Sequence, residues 1–194
     1  MYQAEPDPYC YPDSGVLRNK MALTDQAALE RFETAMTFAR SEEPLPNGRL
    51  SVSHYRAIHH HLFQDVYAWA GKFRRVRISK GTSTFCYPEH IEQEMRRLFG
   101  WLRAHDGLRN LMAAEFARDA AHFLADLNAI HPFREGNGRT QLTFLALLAD
   151  RAGHPLDLDR LHPDAVLAAM IASFNADEAP LSNLLISLIQ VPET

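Results

Sequence analysis

One stretch of the sequence, residues 131–140, combines a histidine, a carboxylate, an asparagine, two arginines and two glycines. His131 has an ordinary pKa that allows proton transfer near neutral pH, so it is a candidate general base. Glu135 is a candidate ligand for Mg²⁺, which is typically bound by one or two carboxylates together with substrate phosphates. Transfer of a phosphorus centre to a hydroxyl needs such a base, a metal carboxylate and neutralisation of phosphate charge.

The residues after Glu135 have the features of an anion-binding helix start. Gly136 and Gly138 can adopt positive φ and let the backbone approach a ligand closely. Asn137 leads into a predicted helix, whose first N–H groups and positive dipole end favour an anion, phosphate above all. Arg139 in the first turn is unfavourable for this dipole unless an anion neutralises it. The alternative is an ordinary turn between two helices, with solvated charges and glycines that only relax the backbone.

Other catalytic or metal-binding motifs are missing from the sequence. It contains no G-x-x-x-x-G-K-[ST], H-E-x-x-H, G-x-S-x-G or paired C-x-x-C motif. Three histidines stand side by side at 59–61, but successive helical residues point in different directions and cannot converge on one metal. Packing or solvent-facing roles are therefore expected for them.

The candidate loop lies between two predicted helices of an all-α chain, a helical bundle of about seven helices with one β-hairpin. Apolar residues such as Leu29, Phe32 and Met36 recur at intervals of three and four, which is typical of one helix face. Pro132 ends the helix before the loop. Small residues on two sides of that helix indicate a central position. The predicted helices span about residues 25–43, 53–71, 88–106, 110–130, 138–151, 163–175 and 181–190.

A break in the helical pattern at about residues 73–87 predicts the hairpin. Alternating β-formers surround a turn at Ser79-Lys80-Gly81. A lone two-stranded hairpin is marginal in water and must rest on another element. Its open edge could accept a further strand, or the hairpin could be a structural flap without a partner.

Composition narrows the class of protein. The 194 residues carry a net charge of -4, which gives no sign of direct nucleic-acid binding. Two cysteines, Cys10 and Cys86, fit reduced thiols better than a disulfide framework. The start of the chain has no signal-peptide pattern, and no window is apolar enough to span a membrane. We expect a cytoplasmic protein, or one secreted into a host cytosol without a cleavable signal.

The loop resembles the signature of the Fic domain, H-x-F-x-[DE]-G-N-G-R-x-x-R, and matches every specified position but the last. Residues 62–74 and short segments from residue 7 onward resemble the N-terminal part of that family. The resemblance covers about residues 7–190. Residues 1–23 carry four prolines or glycines and little periodicity, so we expect an N-terminal arm that lies extended over the surface. The resemblance implies a single Fic domain at 24–190. It also implies adenylylation, in which AMP passes from ATP to a Ser, Thr or Tyr hydroxyl of a target protein.

The resemblance also implies a role for each matching position. His131 would deprotonate the target hydroxyl, Glu135 would bind Mg²⁺, and Phe133 would anchor the loop in the core. Nucleotide-binding roles are implied for Lys80, Gly81, Arg134, Gly136, Asn137, Gly138 and Arg139. The flap that aligns the target segment by strand addition is implied to consist of Ser79, Thr82, Ser83, Thr84 and Phe85.

Leu142 departs from the signature, because the family usually has a second arginine there that contacts the terminal phosphates. This predicts weak dependence on the γ-phosphate, reduced activity or another nucleotide or phosphate-linked donor; alternatively, Leu142 simply extends an apolar stripe. A nucleotide-binding interaction module and an enzyme that removes AMP are further alternatives. The sequence has no [ST]-x-x-x-E-[GN] inhibitory motif. The resemblance then implies a separate inhibitory antitoxin protein, with a secreted effector as the competing role.

Overall fold

A computed structural model describes residues 7–80 and 83–190 of the chain. Within these ranges seven α-helices and one hairpin are present, which confirms the predicted helical bundle. The helices are α1 (Gln26–Ser41), α2 (Val52–Phe63), α3 (Ile91–Ala104), α4 (Ala113–Ile130), α5 (Asn137–Ala152), α6 (Pro163–Phe174) and α7 (Ala179–Leu188). Strands β1 (Ser79–Lys80) and β2 (Ser83–Thr84) pair antiparallel, with Ser79 opposite Thr84 and Lys80 opposite Ser83.

Helix α4 lies at the centre of the bundle, as its small residues predicted. It packs against α3, α5, α6 and α7. Phe116, Phe123 and Leu127 are buried on one face of it, and Ala117 and Ala121 are buried beside that face. Alanines let neighbouring helices approach closely, so one helix can serve several partners. The candidate loop is the connection from α4 to α5 and is therefore attached to the most buried part of the molecule.

Helix α2 differs from the prediction at both ends. Ser51, not Ser53, is its N-cap and accepts a hydrogen bond from the His54 N–H. The helix ends at Phe63 and not near Gly71, because the N–H groups of Val66 and of the residue after it both donate to the Phe63 carbonyl and close the last turn. Buried side chains continue beyond this point, so the apolar spacing does not mark the helix end.

The N-terminal arm is folded back on itself, and the expectation of an extended arm over the surface is wrong for residues 7–23. Cys10 and Leu17 form an antiparallel bridge, and both are buried with Val16. The Lys20 N–H donates to the Val66 carbonyl at 2.9 Å and fastens the end of the arm to the segment after α2.

None of the helices in the described residues combines the length and apolarity that crossing a bilayer requires.

Candidate active site

The loop between α4 and α5 begins and ends with residues in the left-handed backbone conformation. His131 caps α4 at φ 48°, and its N–H donates to the Leu127 carbonyl at 3.0 Å. Gly136 precedes α5 at φ 80°. A non-glycine residue in this region is uncommon and is often found at functional sites. Between the two turns the Phe133 side chain is fully buried, as expected for an anchor of the loop.

Asn137 closes the loop on itself. Its Oδ1 accepts a hydrogen bond from the Phe133 N–H, and its Nδ2 donates to the Phe133 carbonyl, both at 2.9 Å. The side chain is buried, so these two bonds occupy its polar atoms. Asn137 therefore shapes the loop through its side chain, and only its backbone N–H is left to serve an anion.

The two glycines of the loop have different surroundings. An alanine Cβ at Gly136 would lie 2.3 Å from Phe63 Cζ, so the ring of Phe63 packs directly beneath this backbone. Gly138 is exposed, and an alanine Cβ there would meet no other atom within 4 Å, which leaves open space over the first turn of α5. The first N–H groups of a helix have no partners within it, so this end of α5 can supply donors for an anion.

The His131 ring is held in one plane. It stacks on Phe85, a residue that follows β2, with centroids 3.9 Å apart and an angle of 19°. Burial lowers the pKa of His131 to about 4, with the Arg74 and Lys80 charges acting in the same direction and the Asn128 carbonyl opposing them. Nδ1 is buried and forms no hydrogen bond of normal geometry with the described residues. The ring is therefore neutral at pH 7 and able to accept a proton.

Arg74 joins the base of the hairpin to the loop. Its buried guanidinium donates to the carbonyls of Val76, Cys86, Ile130 and His131 at 2.6 to 3.2 Å. Its backbone N–H donates to the Pro132 carbonyl at 2.9 Å. Burial lowers the pKa of Arg74, and carbonyl oxygens satisfy its donors in place of a carboxylate. In the sequence, only the resemblance drew attention to this residue.

Arg139 lies on α5 beside the open space and is held by α1. It forms an ion pair with Glu33 and donates to Thr37 Oγ1 at 3.3 Å. Its guanidinium lies 4.7 Å from the centroid of the Phe63 ring. The Glu33 side chain is only 12% exposed and also accepts a hydrogen bond from the Tyr67 hydroxyl.

Sequence reasoning missed Glu33, although a signal for it exists. It stands four residues after Leu29 and four before Thr37, and both of these are buried on α1. Residues four apart share a helix face, so an acidic residue at this position falls on the buried side and needs a partner.

Glu135 is placed at the N-terminus of α5. Its side chain is 45% exposed, its Oε1 accepts the Gly136 N–H at 2.9 Å, and Arg139 lies 3.8 Å away. Among the described residues no group of three or more His, Cys, Asp or Glu side chains could hold a metal ion. A single carboxylate with a free oxygen fits Mg²⁺, which takes most of its ligands from phosphates and water.

Arg134 points away from the open space. Its guanidinium pairs with Asp7 at 2.8 Å and lies 3.9 Å from the Cys10 sulfur, so it fastens the loop to the N-terminal arm. These partners are more than 120 residues distant in sequence, and local patterns contain no signal for the contact. Its predicted contact with a nucleotide stays a prediction.

The flap residues fall into two groups. Ser79, Lys80 and Thr84 are exposed on the short hairpin, whereas Phe85 is buried against His131. Ser83 is placed by its backbone pairing with Lys80. The predictions for Gly81 and Thr82 concern positions outside the described residues.

Leu142 follows Arg139 on α5 and is half-buried. It is not part of the buried core cluster of the described residues. No guanidinium stands at this position to reach toward the far end of a triphosphate.

A cavity of about 930 Å³ lies elsewhere in the molecule, lined by Tyr9, Trp69, Arg74, Arg96 and their neighbours. None of the residues 131–140 lines it. The predicted nucleotide site over the start of α5 therefore lies outside this cavity.

Comparisons with known proteins agree with this geometry. Residues 49–149, more than half of the chain, match the model of the Fic/DOC family. The "Probable protein adenylyltransferase y4lH" of Sinorhizobium fredii is 53% identical over 182 residues, which cover 93% of this chain and 95% of that protein. Protein adenylyltransferase VbhT of Bartonella schoenbuchensis is 40% identical over 95% of this chain, which spans only 39% of that longer protein.

Among solved structures, the N-terminal Fic domain of a VirB-translocated Bep effector protein from Bartonella quintana, with bound ADP, has a TM-score of 0.84 and 27% identity. The match covers 94% of each chain. The signature loop, the helical bundle and these relatives lead to one conclusion: the chain belongs to the Fic/DOC family.

Proposed function

We propose that His131 and Glu135 carry out the transfer of AMP from ATP to a hydroxyl side chain of a target protein. The chain is a protein adenylyltransferase, the activity named for relatives that match it over most of its length. The observation that carries the residue roles is the loop itself. Its neutral imidazole, its half-exposed carboxylate and the N-terminus of α5 at its end support these roles.

His131 acts as the general base. With Nδ1 buried, Nε2 faces the target hydroxyl and takes its proton. The hydroxyl oxygen forms a bond to the α-phosphorus while the bond from that phosphorus to the β-phosphate oxygen breaks, and pyrophosphate leaves. Phe85 fixes the plane of the ring and Arg74 fixes its backbone, so the base needs little reorganisation before attack.

The start of α5 binds the phosphates. The N–H groups of Asn137 and Gly138 and the Arg139 guanidinium face the α- and β-phosphates and neutralise the charge that moves during transfer, and Gly136 lets the backbone approach these phosphates closely. Glu135 would hold Mg²⁺, which would supply further positive charge at the phosphates. Lys80 lies near enough to His131 to act on its pKa and reaches the nucleotide from the flap.

The hairpin aligns the target. Ser79, Lys80 and Thr84 are exposed on it, and a two-residue ladder leaves backbone groups free for an added strand. The segment of the target that carries the hydroxyl pairs with this edge and is brought to the Phe85–His131 stack. A separate antitoxin protein in the same cytosol restrains the enzyme.

Labelled ATP added to a cell lysate tests the proposal, with His131→Ala as the matched control. The wild-type protein is expected to label one or a few proteins, and mass spectrometry to find peptides that have gained AMP. Label that persists in the variant would contradict the role of His131. Wild-type protein that binds ATP and transfers no label would instead be a nucleotide-binding module.

A further inference from the structure

His59 is a buried polar residue that the proposed mechanism does not use. It is fully buried on α2, whereas the adjacent His60 is exposed. Its ring stacks on Phe133 with centroids 3.7 Å apart and on Phe63 at 4.8 Å. A histidine in such surroundings needs partners for both ring nitrogens, because a buried polar atom without a hydrogen bond is costly.

The two partners of His59 determine its tautomer. The Gly71 N–H lies 2.8 Å from Nδ1, and an amide nitrogen can only donate, so Nδ1 carries no proton. Nε2 lies 3.0 Å from the Glu135 carbonyl oxygen, which can only accept. A ring whose Nδ1 carries no proton is neutral. The single proton is therefore on Nε2 and is donated to Glu135.

The Glu135 carbonyl belongs to the same peptide plane as the Gly136 N–H. Since a peptide unit is planar, fixing the direction of the carbonyl also fixes the direction of the N–H. That N–H donates to Glu135 Oε1 at 2.9 Å and sets the orientation of the carboxylate. A chain of two hydrogen bonds and one peptide plane thus leads from the His59 ring to the predicted Mg²⁺ ligand.

We propose that His59 is a positioning residue, which holds the Glu135–Gly136 peptide through its Nε2–H and thereby aims the Glu135 carboxylate at the metal–nucleotide complex. The proposal rests on the function assigned above to Glu135. His59 also links this peptide to Gly71, from which the chain runs through Arg74 to the hairpin. Both segments that line the site are therefore fastened to one side chain of α2.

Two amide variants test the two hydrogen bonds of His59 separately, because each variant can keep only one of them. The side-chain amide of His59→Gln reaches the place of Nε2 and can still donate to the Glu135 carbonyl. The shorter amide of His59→Asn reaches the place of Nδ1 and can still accept from Gly71. Both variants lose the ring and its stacking, so urea unfolding is expected to show similar losses of stability for the two.

Activity is expected to differ between these variants. Loss of the donor to Glu135 in His59→Asn should lower kcat and raise the Mg²⁺ concentration for half-maximal rate by about 10-fold or more, as for other residues that orient metal ligands. His59→Gln should stay within about threefold of wild type on both measures. Equal losses in the two variants, or a larger loss in His59→Gln, would overturn the proposal and leave His59 a packing residue.

A second measurement does not depend on catalysis. Long-range ¹H–¹⁵N spectra of wild-type protein with labelled histidine report which ring nitrogen carries the proton. A proton on Nε2 and none on Nδ1 is expected at pH 7; a proton on Nδ1 would refute the proposal. If the wild-type protein labels no target yet shows the expected tautomer, the assigned function fails and the His59–Glu135 bond stands.

Discussion

Replacement of Gly136 by alanine tests how closely the active loop is fitted to α2. Gly136 has φ 80°, and the new Cβ would meet Phe63 Cζ at 2.3 Å and Cε2 at 2.4 Å. The ring cannot move aside, because Phe63 is fully buried and stacks on His59 and Tyr67. The loop would have to move, and with it the start of α5.

The loss of stability in Gly136→Ala can be estimated from its backbone conformation and from its overpacking against Phe63. A left-handed conformation is unfavourable for alanine by about 1–2 kcal/mol, and overpacking of a filled core costs about 1–3 kcal/mol. Together they predict a loss of about 2–5 kcal/mol in the free energy of unfolding. For a chain of this length a loss of about 3 kcal/mol corresponds to a fall of about 6–12 °C in Tm.

Urea unfolding followed by circular dichroism measures this loss. Gly138→Ala is the matched control, because Gly138 is helical, exposed and free of neighbours at the new Cβ. It should be neutral or more stable by about 0.4–1 kcal/mol. Adenylylation by Gly138→Ala should nevertheless fall, since the added methyl enters the space assigned to the phosphates.

A double-mutant cycle identifies the contact responsible. Phe63→Leu removes the ring atoms that the new methyl would meet, so the double variant with Gly136→Ala should lose at least about 1 kcal/mol less than the sum of the single losses. The reasoning is refuted if the free energy of unfolding of Gly136→Ala lies within about 1 kcal/mol of the wild-type value, or if the cycle is additive.

Three further predictions concern the chemistry of the site. Since burial lowers the pKa of His131 to about 4, kcat/KM should rise with pH through that value and stay level from about pH 5 to pH 7; half the rate lost near the ordinary pKa of about 6.5 would contradict this. Glu33→Gln removes a negative charge beside Arg139, so calorimetry should show ATP bound about 3–10 times more tightly; weaker binding would mean that Glu33 chiefly orients the arginine. Wild-type protein should bind ATP and ADP within about threefold of each other, while Leu142→Arg should favour ATP by about tenfold through a charge-assisted hydrogen bond; a large preference for ATP in the wild type would be inconsistent with this account of Leu142.

Local sequence patterns are sufficient to predict the position of the loop and of most of the helices. His131, Glu135 and Gly138 are close enough in sequence that residue type and helix position indicate their chemistry without knowledge of the fold. The buried face of α1 and the small residues of α4 follow from helical periodicity alone. The C-terminal end of α2 cannot be predicted from periodicity, because Val66 remains buried after the helix has ended.

The supporting contacts could not be predicted in the same way. Glu33 meets Arg139, and Asp7 meets Arg134, across more than 100 residues of chain. Such pairs depend on how helices pack, and local periodicity has no information on packing partners. The role of His59 is of the same kind, since its ring reaches a carbonyl 76 residues away.

Because the Arg74 guanidinium donates to backbone carbonyls and not to a carboxylate, the contacts of the site should respond differently to ionic strength. Salt screens attraction between charges that water can reach, so the partly exposed pairs of Arg134 with Asp7 and of Arg139 with Glu33 weaken as salt is added. The Arg74 guanidinium is buried and held by neutral carbonyl oxygens, which dissolved ions cannot replace or approach. High salt should therefore loosen the arm and Arg139 while the hairpin base and His131 keep their relative positions. A lysine at position 74 would keep the charge but lose the planar set of donors, and hairpin and histidine would then move independently.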